Sequence, residues 1–186
     1  VEEHVSKELL EKQKRKESLI FKFGDDNLWV YQHKNPIKIF EAYHLSNPAI
    51  YQYIFQSKKY LDDINMRKKY SYVLDNLLKR NYDQIFDKKN FLDVVHMSLL
   101  WGNNHGLLFN NARYYLNPYT LKLEYITHDN SNLHKLKKEE FTVPAFIKKL
   151  IDNSSFDEIK SSNNRAIKAF DNYLDAFNFH TSYFPN

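Results

Sequence analysis

The chain has 186 residues, 42% of them hydrophobic and 16% aromatic, enough to bury one sizeable core in about a single domain. Its 27 basic and 23 acidic residues leave a net charge of +4, but the basic residues are scattered among acids, whereas nucleic-acid binders concentrate charge on one face or tail. Cysteine is absent, which excludes a disulfide framework and thiolate chemistry, and no apolar run of about eighteen residues is present to span a membrane.

Glu2 to Glu17 reads as a charged helix with a narrow apolar stripe of Val5, Leu9 and Leu10. Its densest charge run, Lys12 to Lys16 with Gln13 as the neutral member, reads as a solvated helix face and has no aromatic within it on which a base could stack. Ser18 to Phe23 and Leu28 to Gln32 read as strands on either side of a Gly24-Asp25-Asp26-Asn27 turn. Lys34 to Leu45 is a connector broken by Pro36, and Asn47-Pro48 then predicts a helix start with asparagine as the cap. That helix is expected to run to Asp62 or Asp63, with Ile50, Tyr51, Ile54, Phe55 and Leu61 inward. The 3.6-residue spacing of Met66, Tyr70, Val73, Leu74, Leu77 and Leu78 predicts the next helix, from about Met66 to Arg80, as core packing.

Asp87 is placed to cap a helix over Lys88 to Trp101, and Gly102 to end it in a left-handed turn. His96 on that helix reads as a satisfied core or boundary histidine. A polar loop, Asn103-Asn104-His105-Gly106, follows. Ala112 to Leu116 and Leu121 to Ile126 are aromatic and branched runs on either side of Asn117-Pro118-Tyr119-Thr120, the pattern of a β-hairpin whose first strand must stop at proline. Leu121, Leu123 and Tyr125 alternate with Lys122, Glu124 and Ile126, so one face should pack and the other stay partly wet. Asn110, Asn111 and Asp129 then lie at one end of the hairpin. Beyond Asp129 the chain is polar through the Lys135 to Glu140 charge run; Phe141 to Val143 is read as extended, and helices are expected near Pro144 to Asp152 and from about Ser155 to Phe179. The fold class expected is α+β, mainly helical, with short antiparallel hairpins.

The segment FDKKNFLDVVHMSLLWGNNHGLLFNNARYYLNPYTLKLEYITHD resembles the spore-coat CotH family: a helix, an HN-type element, an aromatic strand, an NP-T-KLE turn and a closing aspartate, in that order. The opening EEHVSKELLEKQKRKESLIFKF is similar to the region preceding this core in one branch of the family, and together the matches cover roughly half of the chain. The resemblance implies a divergent protein-kinase-like fold, with residues 1–33 as the C-terminal part of a small lobe and 34–186 as a helical large lobe carrying the hairpin, one incomplete domain overall. It also implies ATP and Mg2+ (or Mn2+) as cofactors, phosphoryl transfer to a protein hydroxyl, and a protein substrate or a coat or surface protein as partner. By the same analogy Glu3, Glu8 or Glu11 could pair with a phosphate-binding lysine, although ordinary solvated glutamates explain them too.

The chemistry of phosphoryl transfer gives the candidate residues their roles. A divalent ion bridging phosphate oxygens needs hard oxygen ligands, which the Asp129 carboxylate and the Asn110 or Asn111 amide supply. In protein kinases the catalytic aspartate lies five positions before the metal-binding asparagine; counting back from Asn110 reaches His105 and from Asn111 reaches Gly106, with no carboxylate in that window. His105 can accept a hydroxyl proton or simply hydrogen-bond its own loop. Asp129 can hold a metal or cap a turn, since THDNSN is rich in turn formers. Three readings follow: an atypical protein kinase, an inactive kinase-like scaffold for coat or surface assembly, and a helical interaction domain in which Asn111 and Asp129 are turn residues. Val1 in place of methionine and the ending HTSYFPN suggest a piece of a longer protein, with an extracytoplasmic or cell-surface location if a signal lies upstream.

Overall fold

The computed structural model describes residues 7–23, 52–55, 62–102, 105–107, 111–126 and 145–183. Over these the fold is α+β and mainly helical. The elements are α1 (Lys7–Lys12), β1 (Ile20–Phe23), β2 (Gln52–Phe55), α2 (Ile64–Leu78), α3 (Tyr82–Ile85), α4 (Lys88–Trp101), a 3-10 turn (His105–Leu107), β3 (Arg113–Leu116), β4 (Leu123–Ile126), α5 (Ala145–Asp152) and α6 (Phe156–Tyr183).

One antiparallel sheet, in the order β2-β1-β3-β4, organises the described residues. Strand β1, on one side of residue 33, is thus hydrogen-bonded to β3 on the other. One sheet face enters the main core: Phe21, Tyr114, Leu116, Leu123 and Tyr125 pack with Val73 and Leu77 of α2, Phe91 and Val95 of α4, and Ile147 and Leu150 of α5. Aromatic rings fill its centre, with Phe86 and Phe91 at 4.9 Å, Phe91 and Tyr114 stacked at 5.9 Å, and Tyr114 and Tyr125 edge-on at 5.7 Å. The opposite face is smaller, with Ile20, Tyr115 and Ile126 under Leu10 of α1.

Local chemistry sets most boundaries. Asp87 accepts from the Asn90 N–H at 2.9 Å and starts α4, and Gly102, at φ 64° and ψ 28°, ends it. Asp63, expected at a helix end, instead caps α2 by accepting from the Asn65 and Met66 N–H groups. Ser155 and Glu158 form a reciprocal capping box at the start of α6. The free edge of β4 is covered by the lead-in to α4: Asp87 N–H donates to the Leu123 carbonyl at 2.9 Å, and the Asn90 side-chain oxygen accepts from Tyr125 N–H at 2.6 Å.

Two expectations are corrected. The helix predicted from Asn47 to Asp62 or Asp63 contains a strand instead, β2, whose Gln52 to Phe55 pair with Phe23 to Ile20. A short apolar run such as Tyr53-Ile54-Phe55 is compatible with either period, and the waiting edge of β1 decides it. Within the expected strand Ser18 to Phe23, β1 forms over Ile20–Phe23 with β2 and β3 as its ladder neighbours; the expected Gly24 to Asn27 turn and Leu28 to Gln32 strand lie outside the described residues. The expected helix through Glu17 stops at Lys12, because Lys14 turns left-handed at φ 55° and Arg15 N–H closes back on the Leu10 carbonyl at 2.7 Å. Among the described residues no helix is long and apolar enough to cross a membrane.

Candidate functional site

The hairpin forms as its sequence requires, with one shift. Asn117 and Lys122 close a loop in which Asn117 N–H donates to the Lys122 carbonyl and Leu121 N–H to the Asn117 carbonyl, both at 2.9 Å. Leu121 sits at φ 55°, inside the turn and not in the strand, which begins at Leu123. The rungs then run from Leu116 opposite Leu123 to Arg113 opposite Ile126. Asn111, which precedes β3, and Ile126, which ends β4, therefore lie at one end, away from the turn.

Rigid pieces deliver the chain to that open end. Helix α4 buries Phe91, Leu92 and Val95, stops at Gly102, and is followed by the His105–Leu107 turn, in which Gly106 and Leu107 are buried. Asn111 is half-buried in the turn before β3, and Ala112 is fully buried. The Arg113 guanidinium folds back on this turn, its Nη1 donating to the Asn111 and Ala112 carbonyls at 3.1 Å each. Burial raises the pKa of the Tyr114 and Tyr125 hydroxyls well above that of an ordinary phenol, and the nearby Arg113 charge partly opposes the rise.

Of the expected site residues, His105 is placed by its backbone, in the 3-10 turn, and Asn111 at the mouth of β3. Asn110 and Asp129 lie outside the described residues. Among the described residues no three His, Asp or Glu side chains gather as metal ligands. Arg113, whose guanidinium bonds the Asn111 carbonyl, stands at this end as well. A basic residue two positions after a candidate ligand, at the first rung of an aromatic strand, is its signal in the sequence.

The turn end is built from the NP-T-KLE residues, whose contacts among the described residues tie the turn to the fold. The Asn117 side-chain oxygen accepts from Tyr119 N–H at 2.9 Å and Thr120 N–H at 3.3 Å, while its amide donates to Glu124 at 2.7 Å. Glu124, only 8% exposed, also holds the Arg15 guanidinium, which lies 5.1 Å from the centre of the Tyr115 ring. The Tyr115 hydroxyl donates to the Lys16 carbonyl at 2.7 Å, and Lys122 Nζ to the Asp83 carbonyl at 2.7 Å. This latch ties the segment after α1 to the hairpin. Within the charge run from Lys12, Lys12, Lys14 and Lys16 are exposed, with Lys16 Nζ 5.6 Å from the centre of the Tyr119 ring, whereas Arg15 is half-buried against Glu124.

A second polar cluster joins α4 to α6. Asp93 accepts from Arg165 Nη2 at 2.6 Å and from the Ser162 hydroxyl at 2.7 Å, with Lys89 at 3.7 Å. Since that hydroxyl hydrogen goes to Asp93, His96 Nδ1 must carry a proton for its two 2.9 Å contacts, to the Leu92 carbonyl and Ser162 Oγ. The residue types are those of a hydrolase triad, but the wiring is not: Ser162 is fully buried and donates to the acid, so it presents no nucleophile. Burial pushes the Asp93 carboxyl up, but the Arg165 and Ser162 hydrogen bonds and the Arg165 and Lys89 charges outweigh it and leave the pKa below the usual value. His96 is thus a satisfied boundary histidine, as its sequence context suggests.

Comparison with protein-family models, with curated proteins and with solved structures returns no match to this chain.

Proposed function

We propose that the chain is an atypical, ATP- and metal-dependent phosphotransferase of the CotH type, on a divergent protein-kinase-like fold, acting on a protein hydroxyl. The observation that supports it is the register of the hairpin. With Arg113 opposite Ile126, Asn111 and the last residue of β4 lie at one end of the hairpin, and a kinase metal site takes its asparagine just before such a hairpin and its aspartate just after it. The approach to that end, a buried helix stopped at Gly102 and then a tight turn, gives a rigid support.

The donor set suits the chemistry. Asn110 or Asn111 and Asp129 offer amide and carboxylate oxygens, the hard ligands that Mg2+ or Mn2+ prefers. A divalent ion held there would neutralise charge developing on the transferred phosphoryl group. His105, on the preceding turn, is the residue to accept the proton of the attacking hydroxyl.

A second reading, an inactive scaffold for coat or surface assembly, is favoured by a specific observation. The most motif-like residues, Asn117 and Glu124, are committed to the latch, and no carboxylate stands at the catalytic-base position. One experiment separates the two. Mg2+-dependent ATP turnover is measured for the chain and for Asp129→Asn; the expected result is a loss of about a hundredfold with the melting temperature within about 2 °C. Undetectable turnover in the parent, or equal turnover in the variant, removes the phosphotransferase and leaves the scaffold.

A further inference from the structure

We infer that the exposed side of α6 carries a phosphate-anion site, centred on Asn164 and Arg165 and flanked by Lys160 and Lys168. The site does not depend on the phosphotransferase reading. A surface groove of about 410 Å3 runs along this side of the helix, lined by Asp157, Lys160, Ser161, Asn164, Arg165 and Lys168. The spacing is that of one helical row: Asn164 lies one turn after Lys160 and one turn before Lys168, so both ammonium groups can swing over it.

Charge favours an anion there. With the α4 residues that meet Arg165 included, four cations, Lys89, Lys160, Arg165 and Lys168, share two carboxylates, Asp93 and Asp157. Asp93 is taken by Arg165 and Lys89. Lys160, Asn164 and Lys168 are exposed and have no hydrogen bond or ion pair to any of the described residues. A phosphate monoester, with close to two negative charges near neutral pH, matches the two lysines.

Arg165 supplies the directional part. Its Nε and Nη2 donate to Asp93, and its Nη1 donates to the Ser161 hydroxyl at 2.6 Å, so the plane of the guanidinium is fixed from two sides. Of the N–H groups of a guanidinium, one on each Nη is left over by these bonds. Two donors on one plane already held in place suit the paired oxygens of a phosphate. The Asn164 amide adds a neutral donor between the two lysines.

The test is an amide NMR titration of the whole chain, at a constant ionic strength set with NaCl, with two probes: inorganic phosphate and a short peptide carrying one phosphoserine. Saturable shifts are expected over residues 157–168 at about millimolar probe, and none with the unphosphorylated peptide. Tighter binding of the phosphopeptide assigns the site to a phosphorylated protein and equal binding assigns it to free phosphate; both uphold it. Lys160→Met and Lys168→Met, exposed positions at which folding is not at stake, are each expected to weaken binding about two- to fivefold, the scale of one exposed ion pair. The double variant should lose about fivefold or more, and Lys68→Met, on the exposed side of α2, should lose nothing. Absent or unsaturable shifts, shifts centred outside α6, equal shifts with the unphosphorylated peptide, unchanged affinity in the double variant, or an equal loss in Lys68→Met overturns the proposal.

Discussion

The two ends of one hairpin do different work. At the turn end the polar groups of Asn117 and Glu124 are satisfied within the fold and tied to Arg15, so that end holds structure in place. At the other end the Arg113 guanidinium bonds the Asn111 carbonyl, opposite Ile126 at the end of β4. Motif strength and chemical role therefore separate: the recognisable NP-T-KLE turn is scaffold, and the less distinctive residues at the opposite end carry the proposed chemistry. A turn can be strongly specified in sequence because its own backbone demands it.

The largest effect should come from the floor common to both ends. Phe91 contacts Phe86, Tyr114 and Tyr125 in the core, and Phe91→Ala is expected to cost about 3 to 5 kcal/mol in urea unfolding and to weaken both ends together. Next comes Glu124→Ala, which strands the Arg15 guanidinium and the Asn117 amide. A loss of about 2 kcal/mol with unchanged Mg2+-dependent ATP turnover in the folded protein would confirm that the ends are separable. A parallel fall in turnover would mean that the latch also sets the open end.

A smaller effect is expected at the α4–α6 clasp, remote from both ends. Asp93 has a folded-state pKa below its unfolded value, so its contribution is present above about pH 4 and is lost as pH falls through the lowered folded value. The stability gap between the parent and Asp93→Asn should therefore narrow as pH drops from about 5 to 2, measured by urea unfolding at each pH. A gap that stays constant would assign the role of Asp93 to packing. The smallest effect is a gain: Leu121 holds φ 55°, so Leu121→Gly should stabilise the turn by about 0.5 to 1 kcal/mol without touching the open end. A destabilised variant would show that the Leu121 side chain matters more than its backbone strain.

Much of this was legible because it is local. Asp87, Gly102 and the Asn117-Pro118 turn act on backbone groups within four residues, so their sequence neighbours reveal them. The helices over 64–78, 88–101, 145–152 and 156–183 follow from spacing in the same way. The candidate site was legible only in outline. Sequence order puts Asn111 and Asp129 at one end once the hairpin is granted, but nothing local to Arg113 says that its guanidinium turns back onto Asn111.

The sequence by itself determined the capped helices, the hairpin and the α+β class, because hydrogen bonds and side-chain periodicity act over a few residues. Only the tertiary structure decided that Gln52 to Phe55 form a strand, that β1 lies between β2 and β3, and that Arg15 meets Glu124 across 109 positions. Those outcomes depend on which edge, cavity or opposite charge is offered by a distant part of the chain, and a short apolar run or a lone arginine carries no record of its partner.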